Sequence, residues 1–145
     1  MSQRASLERA AAMVTQFSGP ALEVGWGDGT AYDHLREIMR RREIIVFDRQ
    51  ILAPSEQPPQ AAQRILGDPR ETLPLAWERC RREAVLAHLN VVSPRMAAEL
   101  APLVAPMLRP GAIVIAEAQL ELPGWELIAP TEPGRETRDF LYRAT

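Results

Sequence analysis

Residues 21–30, ALEVGWGDGT, place an apolar run with one acid directly before three alternate glycines, and an amphipathic pattern begins immediately afterwards. This order predicts a strand, a tight turn and a helix. Glycine at alternate positions permits positive φ values and leaves no Cβ atom between the backbone and an approaching ligand. Because the turn also opens a helix, unpaired N–H groups and the positive end of the helix dipole point into the same space. The stretch therefore predicts a nucleotide-binding turn, with a glycine turn that holds no ligand as the alternative.

The spacing of the three glycines bears on which nucleotide the turn would hold. A dinucleotide-binding turn follows the pattern GxGxxG, whose last glycine lies inside the helix and lets the helix pack closely on the strand. Here the third glycine, Gly29, comes one residue too early. An NAD-binding oxidoreductase is therefore disfavoured, although it stays open.

A second strand is predicted at residues 43–48, EIIVFD, because a continuous apolar run ending in an acid is typical of a parallel strand covered on both faces. The helix between the two strands would be capped by Thr30 and Asp33, with an inward stripe formed by Ala31, Leu35, Ile38 and Met39. Asp48 follows the glycines by about 20 residues, at the carboxyl end of the second strand. A carboxylate there can accept hydrogen bonds from both ribose hydroxyls of an adenosine, whether in NAD or in S-adenosylmethionine (SAM).

A third strand, short and at the sheet edge, is expected at residues 64–67, after an irregular connection at 51–63. In a Rossmann-like fold, an acid directly after the third strand can accept the exocyclic amine of adenine. The candidates for the adenine wall are Gly67, Asp68 and Pro69. The alternative is an ordinary turn aspartate before a proline.

The rest of the chain continues the alternation of helices and strands. Helices are expected at residues 6–17, around the core-facing Leu73, Trp77 and Cys80, and from Ser93, the N-cap, onward. Proline at 102 and 106 would break or kink that last helix, so two short segments are expected. Further strands are expected at residues 84–89 and 112–117, the second preceded by a turn at 108–111. Segments 121–130 and 137–145 would form an antiparallel hairpin.

Length and composition indicate one globular domain, residues 1–145. The net charge of −2 argues against a nucleic-acid substrate, which needs a basic face. No apolar stretch approaches the roughly 20 residues that cross a bilayer, and the N-terminus lacks the apolar core of a secretory signal. We therefore expect a cytoplasmic protein without a membrane partner. All 17 basic residues are arginines, and the clusters at 40–42 and 79–82 are interpreted as solvated helix ends.

Six sequence motifs together resemble the class I SAM methyltransferases, in particular a subfamily of very small bacterial enzymes. The motifs are LEVGWGDG (22–29), YDHLRE (32–37), REIIVFDR (42–49), ILGDPRETLP (65–74), PGAIVI (110–115) and FLYR (140–143). The resemblance implies a three-layer, Rossmann-like α/β fold with strand order 3-2-1-4-5-7-6, mostly parallel with an antiparallel C-terminal hairpin. The few residues at 118–123 leave room only for a reduced helix before that hairpin.

The resemblance also implies the cofactor SAM, with S-adenosylhomocysteine (SAH) as product, and a set of residues that bind it. The motif acid, Glu23, would lie near the cationic amino-acid arm of SAM. Trp26 in the glycine turn and Tyr32 could pack on that arm, with ordinary packing as the alternative. The full set of expected cofactor contacts is Glu23, Gly25, Trp26, Gly27, Gly29, Asp48, Arg49, Gly67, Asp68, Pro69, Leu89 and Asn90.

Methyl transfer is an in-line displacement, so a general base is needed only when the acceptor must lose a proton. His88 lies on the fourth strand near the expected position of the methyl group and is the candidate base. Tyr32 and His34, on the helix after the glycine turn, are candidate substrate contacts. For both histidines a structural role is the alternative. Asn90 stands where metal-dependent relatives of this fold use an acid, so we expect no metal.

These observations predict a SAM-dependent methyltransferase that acts on a small molecule through an oxygen or nitrogen nucleophile. The alternative is a protein that binds SAM or SAH without catalysing transfer, in a regulatory or assembly role. With so few residues to cover the substrate, the pocket would be open unless another subunit supplies a wall. A homo-oligomer is therefore expected.

Overall fold

Seven strands form one sheet in the computed structural model, which describes residues 4–49, 62–128 and 139–145. The strand order is β3-β2-β1-β4-β5-β7-β6. The first five strands of this order run parallel, and β7 runs antiparallel to both of its neighbours. The strands are β1 (Ala21–Val24), β2 (Ile44–Asp48), β3 (Ala62–Leu66), β4 (Ala84–Leu89), β5 (Leu108–Ala116), β6 (Trp125–Leu127) and β7 (Phe140–Ala144). The α/β fold, the strand order and the antiparallel hairpin are confirmed.

Helices cover both faces of the sheet and make it the middle of three layers. One apolar cluster joins the first two helices to one face, through residues such as Leu7, Leu35 and Ile113. A second cluster joins the later helices to the other face, through residues such as Leu73 and Leu100. The helices are α1 (Arg4–Ala12), α2 (Thr30–Ile38), α3 (Pro69–Leu75), α4 (Trp77–Cys80) and α5 (Pro94–Val104), followed by a 3₁₀ turn (Ala105–Met107). Apolar strands covered in this way explain the continuous hydrophobic runs of the sequence.

The start of α2 differs from the expected cap. Gly29, with a φ of +87°, precedes the helix, and no side chain caps it from that position. Instead the Asp28 carboxylate accepts a hydrogen bond from the backbone N–H of Thr30, at 2.9 Å. The Thr30 and Asp33 cap was therefore wrong, because the αL conformation of Gly29 moves the cap one residue earlier.

Two proline predictions were also wrong. Pro102 lies inside the continuous helix α5, and only Pro106 falls in the 3₁₀ turn. Because Pro102 has no N–H, the Ala98 carbonyl loses its partner within the helix. Both residues are exposed, so water can donate a hydrogen bond to that carbonyl. The LRPG segment is the beginning of β5 and not a turn, since Leu108 already pairs with Ala84 and the register then shifts.

Other local expectations stand. Ser93 caps α5 by accepting a hydrogen bond from the Met96 N–H at 3.2 Å. Residues 117–124 contain no helix, as expected for the reduced connection to the hairpin. Most of the irregular 51–63 connection lies outside the described residues. Among the residues that are described, no helix combines the length and apolar character needed to cross a membrane.

Candidate functional site

The glycine loop (residues 25–29) connects β1 to α2 at the carboxyl ends of the parallel strands. Its glycines have φ values of +97°, +60° and +87° at positions 25, 27 and 29. A Cβ atom on Gly25 would overlap the backbone carbonyl of Asn90, so this glycine is required by the close approach of the β4 end. Among the described residues a Cβ atom on Gly27 would meet only the Asn90 amide, at 3.5 Å, and Gly27 is exposed. The loop thus packs on the protein at Gly25 and is open to a ligand at Gly27.

The two aromatic rings of this region lie under the loop and not on its surface. Trp26 and Tyr32 are each 1% exposed, and their ring centroids are 5.0 Å apart. The indole also lies directly against Gly29, where a Cβ atom would be 3.0 Å from the ring. Both side chains belong to the core on the α1 and α2 face. This favours the packing alternative over the expected contacts of Trp26 with the cofactor and of Tyr32 with the substrate.

Asp48, at the end of β2, holds the loop in place. Its Oδ2 accepts a hydrogen bond from the Trp26 N–H at 2.6 Å, and its Oδ1 accepts one from the Arg49 N–H at 2.6 Å. The residue is half-buried. Each carboxylate oxygen has a second lone pair. The carboxylate can therefore anchor the loop and still accept hydrogen bonds from ribose hydroxyls.

Glu23 and His88 form a buried pair beneath the loop. They are register partners on the adjacent strands β1 and β4, both 0% exposed, with His88 Nδ1 2.6 Å from Glu23 Oε1. Burial raises the pKa of Glu23, the charge and hydrogen bond of His88 oppose that shift, and the nearby Asp48 adds to it. Oε2 of Glu23 has no hydrogen-bond partner among the described residues. His88 is fully buried and its Nδ1 is already bonded to Glu23, so the structure favours the structural alternative over a direct role as general base.

Asp68 is the N-cap of α3 and the centre of an ion-pair network. Its carboxylate accepts hydrogen bonds from the Arg70 N–H at 3.0 Å and from the guanidinium groups of Arg70 and Arg49, at 2.8 and 2.7 Å. Arg70 also reaches Glu99 at 3.3 Å. Hydrogen bonds from Arg70 and then Arg49 hold the pKa of Asp68 well below its usual range. This engagement favours the turn alternative over the expected bond from Asp68 to the adenine amine.

The charge of Asp68 should make stability depend on pH in the acid range. The folded-state pKa is lowered, so between it and the ordinary aspartate value the folded state binds fewer protons. The contribution of the ionised Asp68 carboxylate to stability is therefore complete above about pH 4 and is lost as the pH falls further. We expect the stability difference between the wild type and D68N, which keeps a capping side chain, to be largest near neutral pH and to decline below about pH 4 in urea titrations.

The matched control for this prediction is Glu71→Gln, an exposed acid in the first turn of the same helix. No ion pair of Glu71 occurs within the described residues, so E71Q should show no comparable change with pH. A difference between wild type and D68N that stays constant from pH 7 to pH 3 would contradict the ion-pair explanation.

Leu89, Asn90 and Pro69 also lie at this edge of the sheet, at the end of β4 or just after β3. Asn90 donates its backbone N–H to the Val24 carbonyl at 2.8 Å, and its side-chain amide lies 3.5 Å from the Trp26 carbonyl. Leu89 is fully buried in the core, and Pro69 is the buried first residue of α3. His34 is half-buried on α2, and its buried Nδ1 has no hydrogen-bond partner among the described residues.

Sequence reasoning missed two features that shape this region. The first is the Glu23–His88 pair. Glu23 stands two positions before Gly25, and His88 stands two positions before Asn90. Equal distances from the ends of adjacent parallel strands are a usable signal for such a contact. The second is the packing role of Gly67, which was expected only as an adenine contact: its φ is +143°, and a Cβ atom there would lie 2.7 Å from the Thr72 side chain. Its N–H donates to the Asp48 carbonyl at 3.0 Å, so the end of β3 is tied to the end of β2.

A cavity of about 1020 Å³ lies at the opposite end of the sheet, where both arginine clusters contribute to its lining. Arg42 there is half-buried and donates to the carbonyls of Gly19 and Phe17, at 2.7 and 3.0 Å. It therefore fixes the segment between α1 and β1. The cavity contains none of the candidate cofactor residues.

A family model described as S-adenosyl-L-methionine methyltransferase matches residues 1–144. The structure of the S-adenosyl-L-methionine methyl transferase from Silicibacter pomeroyi DSS-3 is similar over 99% of this chain and 92% of that chain, with 40% identity and a TM-score of 0.86. No protein among those with curated functions matches the sequence.

More distant structures share the fold. CalS11, a TDP-rhamnose 3′-O-methyltransferase of calicheamicin biosynthesis, is similar over 97% of this chain and 78% of that chain, with 18% identity and a TM-score of 0.66. MycE, a methyltransferase of mycinamycin biosynthesis in complex with Mg, SAH and mycinamycin VI, is similar over 77% of this chain and 31% of that chain, with 17% identity and a TM-score of 0.62.

The family match extends over nearly the whole chain and includes the glycine loop, the strand-end acid Asp48 and the closing hairpin. The resemblance inferred from the six motifs is confirmed, and with it the cofactor SAM. The chain belongs to the S-adenosyl-L-methionine methyltransferase family.

Proposed function

We propose that this protein transfers the methyl group of SAM to an oxygen or nitrogen atom of a small molecule. The observation that carries the proposal is the hydrogen bond between the Trp26 N–H and the Asp48 carboxylate, which holds an open glycine loop against the acid that we propose binds the ribose. The names of two structural neighbours, a TDP-rhamnose 3′-O-methyltransferase and a methyltransferase in complex with mycinamycin VI, support a small-molecule acceptor.

The residues of the loop region fit the cofactor. Gly27 leaves open space where the backbone can approach the amino-acid arm of SAM, and Asp48 has lone pairs for the ribose hydroxyls. The unpartnered Oε2 of Glu23 is a buried acceptor of negative character, which suits the ammonium of the arm. Asp68 is already engaged by two guanidinium groups, so Gly67 and the start of α3 would line the adenine with backbone instead.

SAM supplies an electrophilic methyl group on a sulfonium when it is bound. The protein then has to hold the acceptor in line with that group and keep water out. Of the candidates, His34 has a buried Nδ1 without a partner among the described residues, and it could orient an acceptor hydroxyl or amine. His88 is bonded to Glu23 and fully buried, so it would act on the cofactor side and not on the acceptor.

Ligand binding tests the proposed cofactor. Thermal-shift titrations with SAM, SAH and NAD should show stabilisation by SAM and SAH alone. At a ligand concentration of 100 times Kd the gain is about 2.7 kcal/mol. Stabilisation by NAD but not by SAH would overturn the proposal.

Methyl transfer to a panel of small hydroxyl and amine acceptors, followed by SAH release, tests the activity. The second candidate function is a protein that binds SAM or SAH without transfer. The complete burial of His88, the expected base, favours it. Tight binding of SAH with no SAH release across the panel would support this second function.

The site also predicts a homo-oligomer. Residues 117–124 form no helix that could cover the loop, so a second subunit would supply the missing wall. Multi-angle light scattering should give a mass of at least two chains at micromolar concentration, and SAH should bind more weakly on dilution to monomer. A strictly monomeric protein with undiminished affinity for SAH would contradict the prediction.

A further inference from the structure

The buried Glu23–His88 pair occupies one cross-strand row of the sheet. In that row Val46, Glu23, His88 and Ile115 stand side by side on β2, β1, β4 and β5. The two flanking residues are apolar and 0% exposed. A polar, hydrogen-bonded pair therefore replaces what would otherwise be a continuous hydrophobic row beneath the glycine loop.

Such a pair is not explained by stability. Removing two ionisable groups from water costs several kcal/mol per ion, and replacement of a buried ion pair by apolar residues of similar volume is often neutral or stabilising. The pair also leaves Oε2 of Glu23 without a hydrogen-bond partner among the described residues. An unpartnered buried acceptor is itself costly, which indicates that it serves a ligand.

The orientation of Glu23 follows from its contacts. His88 Nδ1 binds Oε1 at 2.6 Å, and with the carboxylate ionised Nδ1 is the donor. This bond fixes the carboxylate group and leaves Oε2 as the remaining acceptor. Asp48, which holds the loop through the Trp26 N–H, is close enough to raise the pKa of Glu23. Two carboxyl groups therefore lie near the base of the loop, and a bound cation there would offset their mutual repulsion.

We propose that His88 is a positioning residue, which fixes the Glu23 carboxylate beneath the glycine loop so that Oε2 binds the ammonium of the cofactor's amino-acid arm. The inference rests on the proposed function. It replaces the expected role of His88 as a general base, because His88 acts through Glu23 and touches neither the acceptor nor the methyl group.

The test compares two ligands that differ only in the arm. SAH carries the amino-acid arm, whereas 5′-methylthioadenosine has the same adenosine and thioether without it. In H88L the affinity for SAH should fall about tenfold or more, and the affinity for 5′-methylthioadenosine should change by less than about twofold. H88Q, whose side-chain amide can donate to Glu23, should recover most of the affinity for SAH. Isothermal titration calorimetry measures all of these values.

The matched control is Leu86→Ala, on the same face of β4, two residues before His88, and also 0% exposed. Leu86 pairs with Ala21 and not with Glu23, so L86A should destabilise the fold without distinguishing between the two ligands. E23Q, which keeps the shape of Glu23 but not its charge, should show the same selective loss of SAH affinity as H88L. E23Q thus tests the inference where H88L fails to fold.

Each outcome is decisive. A loss of affinity in H88L or E23Q that is equal for both ligands would show a merely structural role and overturn the inference. An unchanged affinity for SAH would do the same. If the wild type binds 5′-methylthioadenosine and SAH equally well, the arm is not recognised at all, which also overturns it. If the wild type binds neither, the proposed function itself has failed.

Discussion

Gly25→Ala should destabilise the protein by at least about 3 kcal/mol and abolish the binding of SAH. Gly25 has a φ of +97°, and a Cβ atom there would overlap the Asn90 carbonyl. That carbonyl belongs to backbone at the end of β4 and cannot turn away as a flexible side chain would. The loop would have to move, and the hydrogen bond from Gly25 N–H to the Phe47 carbonyl, 2.7 Å long, would be lost with it. Urea unfolding and calorimetry with SAH measure both effects.

Gly27→Ala is the matched control in the same loop. Its φ of +60° lies in the left-handed region, which costs about 1–2 kcal/mol for alanine. Its Cβ atom would be 3.5 Å from the Asn90 amide and would clash with none of the residues that the structure describes. We expect G27A to fold and to lose affinity for SAH at least tenfold, because the added methyl group fills the space where the ligand approaches. Equal destabilisation by the two variants would contradict the assignment of Gly25 to packing. Full affinity for SAH in G27A would contradict the assignment of Gly27 to the ligand.

The sequence allowed the sheet to be predicted because parallel strands covered on both faces are continuous apolar runs. EIIVFD and AVLAHL could hardly be anything else, and β2 and β4 are where they were expected. The glycine loop and Asp48 followed for the same reason. Both lie at strand ends, and strand ends in a parallel sheet meet at one edge.

Side-chain direction was much harder to predict than position. Trp26 and Tyr32 stand at the right places in the chain to touch a ligand, yet both rings turn into the core. A large aromatic side chain buries much apolar surface, and this effect is stronger than the attraction of an open pocket. Asp68 illustrates a second limit, since its partners Arg49 and Arg70 are adjacent only after β2, β3 and α3 have come together.

Register explains why the Glu23–His88 pair was missed. The two residues are 65 positions apart, and their contact depends on the alignment of β1 with β4. A shift of β4 by one residue against β1 would send His88 to the opposite face from Glu23. The hydrogen bond from Asn90 N–H to the Val24 carbonyl, 2.8 Å long, fixes that alignment at the loop end. Gly25 permits this approach, so the residue that shapes the loop also brings the buried pair into register.

Each single variant of the buried pair should lower the free energy of unfolding far more than the double variant does. H88L leaves a carboxylate buried without its partner, and loss of one member of such a pair costs about 3–5 kcal/mol. E23M should cost less, roughly 1–3 kcal/mol, because it removes one hydrogen bond from the buried His88 ring. The double variant E23M/H88L continues the apolar row of Val46 and Ile115 and should lie within about 1 kcal/mol of the wild type.

Urea unfolding of the four proteins at neutral pH gives the coupling energy as a double-mutant cycle, and we expect at least about 2 kcal/mol. Additive losses would show that the two side chains do not depend on each other. The double variant also separates stability from binding, since it should fold like the wild type and still bind SAH at least tenfold more weakly. A double variant that is stable and binds SAH normally would mean that the pair is not needed for cofactor binding. One that is stable but fails to bind would show that the pair is retained for the cofactor at the expense of an apolar core.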